Sequence, residues 1–252
     1  MTPKPELLDL SKIALFLDFD GTIARLEERP DEVVPEKHRT QLLKKLHAIL
    51  DGRLALVSGR EIAVLDFLTQ DTVPALGGVH GLQRRTASGV RDDTSPHPAI
   101  AECLVLFKKL QQAWPELIIE DKGVSIAVHF RQCPDAEAQL RSSVQQLATQ
   151  HGLLLQEGRA VIELKTPGRH KGDVIACFMD EIPFKGFRPV FVGDDVTDEA
   201  GFNTVNHLGG LSVKVGEPPS RASCYLANVE AVLTWLEECC YVTTHPEFVS
   251  HW

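Results

Sequence analysis

The chain has 252 residues, 43% hydrophobic and 24% charged, which excludes collagen-like, low-complexity and wholly disordered organisation. Its 26 Lys and Arg stand against 35 Asp and Glu, a net charge of −9, the reverse of what a protein gripping nucleic acid through its phosphates carries. No apolar run approaches the roughly 20 residues that span a bilayer, and Met1 to Leu10 does not read as a secretory signal. A cytoplasmic protein with no nucleic-acid or membrane partner is expected.

Ile13 to Leu17 is apolar without alternation, as in a strand buried on both faces of a parallel sheet. His38 to Leu50 sets Leu42, Leu43, Leu46, Ile49 and Leu50 on one helical face and stops near Gly52. Arg53 to Val57 is a second buried strand, leading into Ser58-Gly59-Arg60, so a right-handed crossover unit opens the chain. Arg84-Arg85 reads as a solvated linker pair, and the Pro- and Ser-containing stretch Ser88 to Pro98 as a hinge. The middle changes grammar. Short strands are expected at Glu116 to Glu120, Ser125 to Phe130, Leu153 to Gln156 and Ala160 to Leu164, with turns at Lys122-Gly123 and Glu157-Gly158. One helix, Pro134 to Gln150, separates the two hairpins, and Pro167-Gly168 is a second hinge. The pattern then returns to helix (Lys171 to Ile182), strand (Arg188 to Val192), helix (Thr197 to His207), strand (Leu211 to Val215) and closing helix (Asn228 to Cys240), with a tail from Tyr241 to Trp252. The reading is an α/β core, residues 1–85 and 166–252, with a smaller α+β domain, residues 86–165, inserted. The six cysteines form no C-x-x-C pair, so a reduced, packing role is expected.

Chemistry concentrates at strand ends. Asp18-Phe19-Asp20-Gly21-Thr22 follows the first buried strand, and Gly193-Asp194-Asp195 with Asp198 follows a later one. Ligands bind outside the carboxyl ends of open α/β sheets, and parallel strands bring these ends together. Asp18, Asp20, Asp194, Asp195 and Asp198 would then crowd one crevice, which is costly unless a cation is present. Hard oxygen ligands suit Mg²⁺. Ser58 adds a hydroxyl and Lys171 a point charge, completing what a phosphoryl group in transfer needs. Each also has a plain reading: Ser58 as a helix cap, Lys171 as a solvated helix residue, Asp198 as a cap.

In order, Asp18-x-Asp20-Gly21-Thr22, Ser58, Lys171 and Gly193-Asp194-Asp195 resemble the four motifs of the haloacid-dehalogenase (HAD) superfamily of phosphatases. Leu76 to Arg85, Glu120 to Gly123, Val161 to Lys165 and Gly193 to Glu199 are similar to its trehalose-6-phosphate phosphatases. The resemblance implies a Rossmann-like HAD core with a parallel sheet plus a C2-type α+β cap that closes over substrate. It implies a Mg²⁺-dependent phosphomonoesterase of trehalose biosynthesis, releasing trehalose from trehalose 6-phosphate through an aspartyl phosphate. Asp18 would be the nucleophile, and Asp20 the proton donor and then acceptor. Mg²⁺ would be held by Asp18, the Asp20 carbonyl and Asp194, with Asp195 and Asp198 around the metal and Lys171. Gly21, Thr22, Ser58, Gly59 and Arg60 would meet the phosphoryl group. Against the net negative charge, Lys171, Arg60 and Lys122 are the candidate cations for anion capture. Glu120, Lys122, His129 and Glu163 would meet the sugar. Competing readings are a wet strand face for Glu163, a packing role for His129 and a mere hairpin turn for Lys122-Gly123. Phosphatases of sucrose phosphate or mannosylglycerate phosphate, a mutase, and a non-catalytic sugar-phosphate sensor are the alternatives. A monomer is expected.

Overall fold

Five consecutive apolar side chains form the first strand, β1 (Ile13–Leu17), and all five are buried. Such a strand needs cover on both faces, and its period of two divides it between two cores. Ile13, Leu15 and Leu17 cluster with Leu42, Leu46, Leu65, Val232 and Leu236. Ala14 and Phe16 belong to the other cluster, with Val174, Phe178, Phe184 and Phe202. The structure, a computed structural model, describes residues 3–158, 160–245 and 247. The chain divides into a first unit, Met1–Asp92 together with Arg169–Trp252, and a second, Asp93–Gly168.

In the first unit, β1 is followed by α1 (Lys37–Ile49), β2 (Leu54–Val57), α2 (Ile62–Thr69), β3 (Ala75–Gly78) and β4 (Gln83–Arg85). The second unit holds α3 (Ala99–Ala113), β5 (Ile118–Asp121), β6 (Ser125–His129), α4 (Glu137–His151), β7 (Leu154–Gly158) and β8 (Val161–Lys165). The first unit resumes with α5 (Lys171–Met179), β9 (Arg188–Gly193), α6 (Glu199–His207), β10 (Leu211–Val215), β11 (Cys224–Leu226) and α7 (Val229–Thr244). Its sheet runs β11-β10-β9-β1-β2-β3-β4 and is parallel except for β4. The α/β architecture is thus the expected one. Leu17 pairs with both Leu56 and Val192, so Asp18, Ser58 and Asp194 leave the sheet at one edge. Helices α1, α5 and α7 start on side-chain caps, from Glu36, His170 and Asn228. Glu36 accepts from the His38 and Arg39 N–H groups at 2.8 Å each, satisfying two of the donors that a helix start leaves orphaned. No helix among the described residues is long and apolar enough to cross a membrane.

The second unit is a four-stranded antiparallel sheet, β5-β6-β8-β7. Ile126, Val128, Ile162 and Leu164 pack with Phe107 of α3 and Leu140 and Val144 of α4. Alternation sends Ser125, Ala127, His129, Glu163 and Lys165 to the opposite face.

Four expectations need correction. The second unit has another helix, α3, before its first hairpin; its inward positions Ile100, Cys103, Leu104 and Phe107 recur at helical spacing, a signal the sequence reading passed over. Glu157 and Gly158 are not a turn but the end of β7, paired with Ile162 and Val161; the reversal falls between Gly158 and Val161, with Ala160 at a φ of 57°. Tyr241 to Thr244 complete α7 rather than starting a tail, and 248–252 lie outside the described residues. Arg84 and Arg85 are not solvated. Arg84 is 3% exposed, lies 4.7 Å from the Phe178 ring centroid and pairs with Glu181 and Asp92. Arg85 forks onto Asp66 at 2.7 Å to each oxygen. Asp92 also receives Arg169, whose Nη1 reaches its carboxylate at 2.5 Å and Nη2 its carbonyl at 2.6 Å. The last residue before the insertion is therefore clasped to the first residue after it.

Candidate active site

Asp18 follows β1 directly, is 4% exposed, and its N–H donates to the Val192 carbonyl at 2.9 Å. The chain then turns tightly, with the Phe19 carbonyl accepting from Ile23 and Ala24 and the Gly21 N–H donating to Ala24. Gly21 has a φ of +73°, and a Cβ there would stand 2.1 Å from Asp194 Oδ2. Only glycine permits both the turn and this approach, and the contact shows how closely the loops after β1 and β9 converge.

Oxygens of Asp18, Asp194 and Asp198 lie within 4.8 Å of one another. Lys171, first residue of α5, donates Nζ to Asp18 Oδ1 at 2.9 Å and Asp198 Oδ1 at 2.7 Å, with all three side chains buried. Its backbone is fixed by His170, whose ring accepts from the Asp173 N–H while Asp173 accepts from the His170 N–H. The other oxygen of Asp198 accepts from the N–H groups of Asp194 at 3.0 Å and Asp195 at 2.9 Å. Asp198 therefore does two jobs: it caps its loop and holds the ammonium. A side chain on Gly193 would collide with it, the Cβ falling 2.4 Å from Asp198 Cγ.

Burial pushes the Asp18 carboxyl well above the ordinary aspartate range; Lys171 opposes this, while the charges of Asp198 and Asp194 add to it. Asp194 is pushed up to about 7, by burial first and by Asp198 second, against Lys171 and Lys214. Burial disfavours the Lys171 charge, but Asp18 and Asp198 outweigh it and hold the ammonium above its usual range. Three carboxylates around one ammonium leave excess negative charge in a buried place, and their oxygens are the hard donors a small divalent cation prefers.

Ser58 follows β2, is 1% exposed, and its Oγ accepts from the Arg60 N–H at 3.3 Å; it does not cap α2, whose N-cap is Glu61. Asp20 is not in the acidic triad: its carboxylate is gripped by Arg60. Asp195 likewise stands outside the triad. Thr22 Oγ1 is buried without a hydrogen-bond partner, and the His80 ring packs where a Cβ on Gly59 would be, 2.5 Å from its Cε1. Sequence reasoning missed Lys214, whose ammonium donates to the Asp194 carbonyl. Its place after Val213 on β10, a neighbour of β9, was the available signal.

In the second unit the strand register aligns Glu120, Ala127, Glu163 and Gln156. Lys122 Nζ lies 3.5 Å from Glu163 and 3.8 Å from Glu120, and Glu120 meets His129 Nε2 at 3.1 Å. Ser125 donates to Glu163 at 2.6 Å, and Lys165 to Gln156 at 3.0 Å. Glu163 is thus no wet-face residue but 4% exposed and paired, and Lys122 is at once in the hairpin turn and 7% exposed. Burial opposes the Glu120 charge, yet the His129 hydrogen bond and Lys122 hold it below the usual glutamate range. Ser125, Gln156 and Lys165 were overlooked, although period-two alternation with Glu163 would have revealed them.

The family model described as Trehalose-phosphatase matches residues 16–229. The chain belongs to the trehalose-phosphatase family. It is 42% identical over 240 residues to the trehalose-6-phosphate phosphatase of Escherichia coli (strain K12), covering 94% of this chain and 89% of that protein. Its fold matches the solved C-terminal domain of the C. albicans trehalose-6-phosphate phosphatase with a TM-score of 0.83 at 21% identity, over 96% of this chain and 98% of that one. A haloacid dehalogenase-like hydrolase from Bacteroides thetaiotaomicron shares it with a TM-score of 0.66 at 13% identity, over 90% of this chain and 99% of that one. As a trehalose-phosphatase family member the chain is a phosphatase with a HAD-type fold, and its first unit carries the acidic cluster such chemistry calls for.

Proposed function

We propose that the chain hydrolyses trehalose 6-phosphate to trehalose and inorganic phosphate in two in-line transfers centred on Asp18. The carrying observation is the buried Asp18 joined to Lys171 and lying with Asp194 and Asp198 within 4.8 Å. An Asp18 oxygen attacks phosphorus, the bond to the sugar oxygen breaks, and Asp20 gives that oxygen a proton. Asp20 then takes a proton from water, which attacks the aspartyl phosphate and releases phosphate and Asp18. Lys171 stabilises charge on the transferring group and opposes the upward push that burial exerts on the Asp18 carboxyl. Ser58 and the Gly59 backbone stand at the same sheet edge, available to the phosphoryl oxygens, and the buried Thr22 hydroxyl is a further donor. We assign Mg²⁺ to the acidic cluster, held by Asp18, Asp194 and the Asp20 carbonyl, where it would neutralise carboxylate and phosphoryl charge. Asp198 and Asp195 orient the loop around it.

The second unit is proposed as the sugar-recognising cap, through Glu120, Lys122, His129 and Glu163. A disaccharide offers hydroxyls and no charge beyond its phosphate, and a rigid set of carboxylates, an ammonium and an imidazole supplies acceptors and donors for them.

The test is a panel of sugar phosphates plus 4-nitrophenyl phosphate, assayed with wild type, Asp18→Asn and Glu163→Ala. Asp18→Asn should lower turnover on every substrate by at least about 10³-fold with melting intact. Glu163→Ala should cost trehalose 6-phosphate at least about tenfold in kcat/KM and spare the aryl ester. Substantial turnover by Asp18→Asn would refute covalent transfer; equal losses on both esters would remove Glu163 from sugar recognition.

A further inference from the structure

Arg60 stands where a cation for phosphate capture was expected, yet its guanidinium is already committed. Nε donates to Asp20 Oδ2 and Nη2 to Asp20 Oδ1, each at 2.7 Å, and Nη1 donates to the Pro30 carbonyl at 3.0 Å. The Arg60 side chain is 12% exposed and that of Asp20 29%. Arg60 also lies 5.9 Å from the centroid of Phe19, the ring between the two aspartates in sequence, and Arg39 lies 4.9 Å from the same ring. The backbone is held as firmly. The Arg60 carbonyl accepts from the Val79 N–H and the Ser58 carbonyl from the His80 N–H, both at 2.9 Å. Val79 and His80 sit at φ of 47° and 55°, and a β-branched residue there is strained. Such strain persists only where surrounding contacts over-determine the backbone.

We propose that Arg60 is a positioning residue for Asp20, its planar fork holding the carboxylate of the proton carrier in one orientation toward the leaving sugar oxygen. This deepens the role given to Asp20 above and rests on it. The terminal torsion of an aspartate is broad, so an unrestrained carboxyl spends little time aimed at one atom. Two parallel N–H···O bonds fix its plane and use two of its roughly four acceptor sites, leaving others for the travelling proton. As the phosphorus–oxygen bond to the sugar breaks, the proton passes from Asp20 to that oxygen, and the carboxylate left behind faces the guanidinium. A lysine supplies charge without the fork.

Leaving-group dependence separates this role from phosphate binding or mere structure. A sugar oxygen needs a proton to depart, whereas 4-nitrophenolate leaves without one. The experiment measures first-turnover release of trehalose and of 4-nitrophenol, so that only transfer to Asp18 is read. Asp20→Asn and Arg60→Gln should each slow trehalose release by about 10²-fold and nitrophenol release only several-fold. Arg60→Lys should remain at least about tenfold slow on the sugar ester. Equal slowing of both esters by Arg60→Gln, with Asp20→Asn still selective, overturns the positioning role and leaves the Asp20 assignment standing. Full rescue by Arg60→Lys overturns it too, since charge alone would then suffice. Equal slowing of both esters by Asp20→Asn overturns the proton-carrier reading and this one with it. If Arg60→Gln does not fold, Arg60→Lys decides: selectivity for the sugar ester supports the role, and equal slowing ends it.

Discussion

Lys171 is the residue on which the buried charges balance. A buried ion pair adds little net stability, but removing one partner leaves an uncompensated charge at a cost of about 3–5 kcal/mol. Lys171→Met, similar in length but uncharged, should lose that much in denaturant unfolding and at least about 10³-fold in turnover. Adding Asp198→Asn should return part of the stability and none of the activity. The aspartates set the pH behaviour. Asp194 stands at about 7 in the folded chain, against about 3.9 for a free aspartate. Between those values the folded state keeps a proton that the unfolded state has lost, so this stability is complete at low pH and disappears as pH rises through 7. Asp18 moves in the same direction. Glu120, held low, has the opposite sign, but its contribution is lost only in acid below the glutamate range. Without divalent cation, Tm should therefore fall between about pH 5 and about pH 8, and Mg²⁺ should raise Tm more at the upper end. A flat profile would contradict the buried aspartate cluster. Asp18, Asp194 and Lys171 are visible in the sequence as ordered motifs. The Arg60–Asp20 pair and the double duty of Asp198 are not, because they depend on where side chains forty or four positions apart meet in space.

Among elements, the β1 and β9 ends are what the proposed chemistry rests on. Gly21→Ala would place a methyl 2.1 Å from Asp194 Oδ2 at a φ of +73°. The loops would part, and a displacement of about 1 Å is enough for a 10²-fold loss in turnover; an alanine variant with unchanged rate would show the contact to be dispensable. The scaffold is tested separately. Phe16 is fully buried with ring centroids of Phe184 at 5.4 Å and Phe178 at 6.1 Å. Phe16→Ala should cost about 3–5 kcal/mol in unfolding free energy, while folded protein keeps its turnover. The two-faced strands of the core are legible in the sequence, since a short apolar run such as Ile13 to Leu17, with no polar side chain to face water, demands cover on both sides. The helix α3 is legible too, since Ile100, Cys103, Leu104 and Phe107 recur at i, i+3, i+4 and i+7; it was obscured only by the hinge-like stretch Ser88 to Pro98 before it. The end of β7 is obscured for a different reason: Glu157-Gly158 carries turn-like residues, yet pairing with Ile162 and Val161 overrides their local preference.

At the scale of the molecule, each unit has its own apolar cluster, and the acidic triad with Lys171 belongs wholly to the first. A chain in which a short glycine linker replaces 93–168 should fold cooperatively and turn over 4-nitrophenyl phosphate while losing its preference for the sugar ester. Calorimetry and a two-substrate assay check this; a molten product or retained sugar preference would contradict it. The antiparallel second sheet is legible from the change in strand grammar along the sequence, whereas the Asp92–Arg169 ion pair is not.

That pair, Asp92 with Arg169 at 2.5 Å backed by Arg84, has a consequence for diversification. The core presents a ready-made port: two chain ends already adjacent, stitched without help from whatever lies beyond. Loop-closure entropy rises only logarithmically with length, so a guest of very different size can be grafted there with little burden on the host. On the proposed division of labour, new substrate ranges would arise by exchanging the guest, while the host that carries the acidic cluster stays intact.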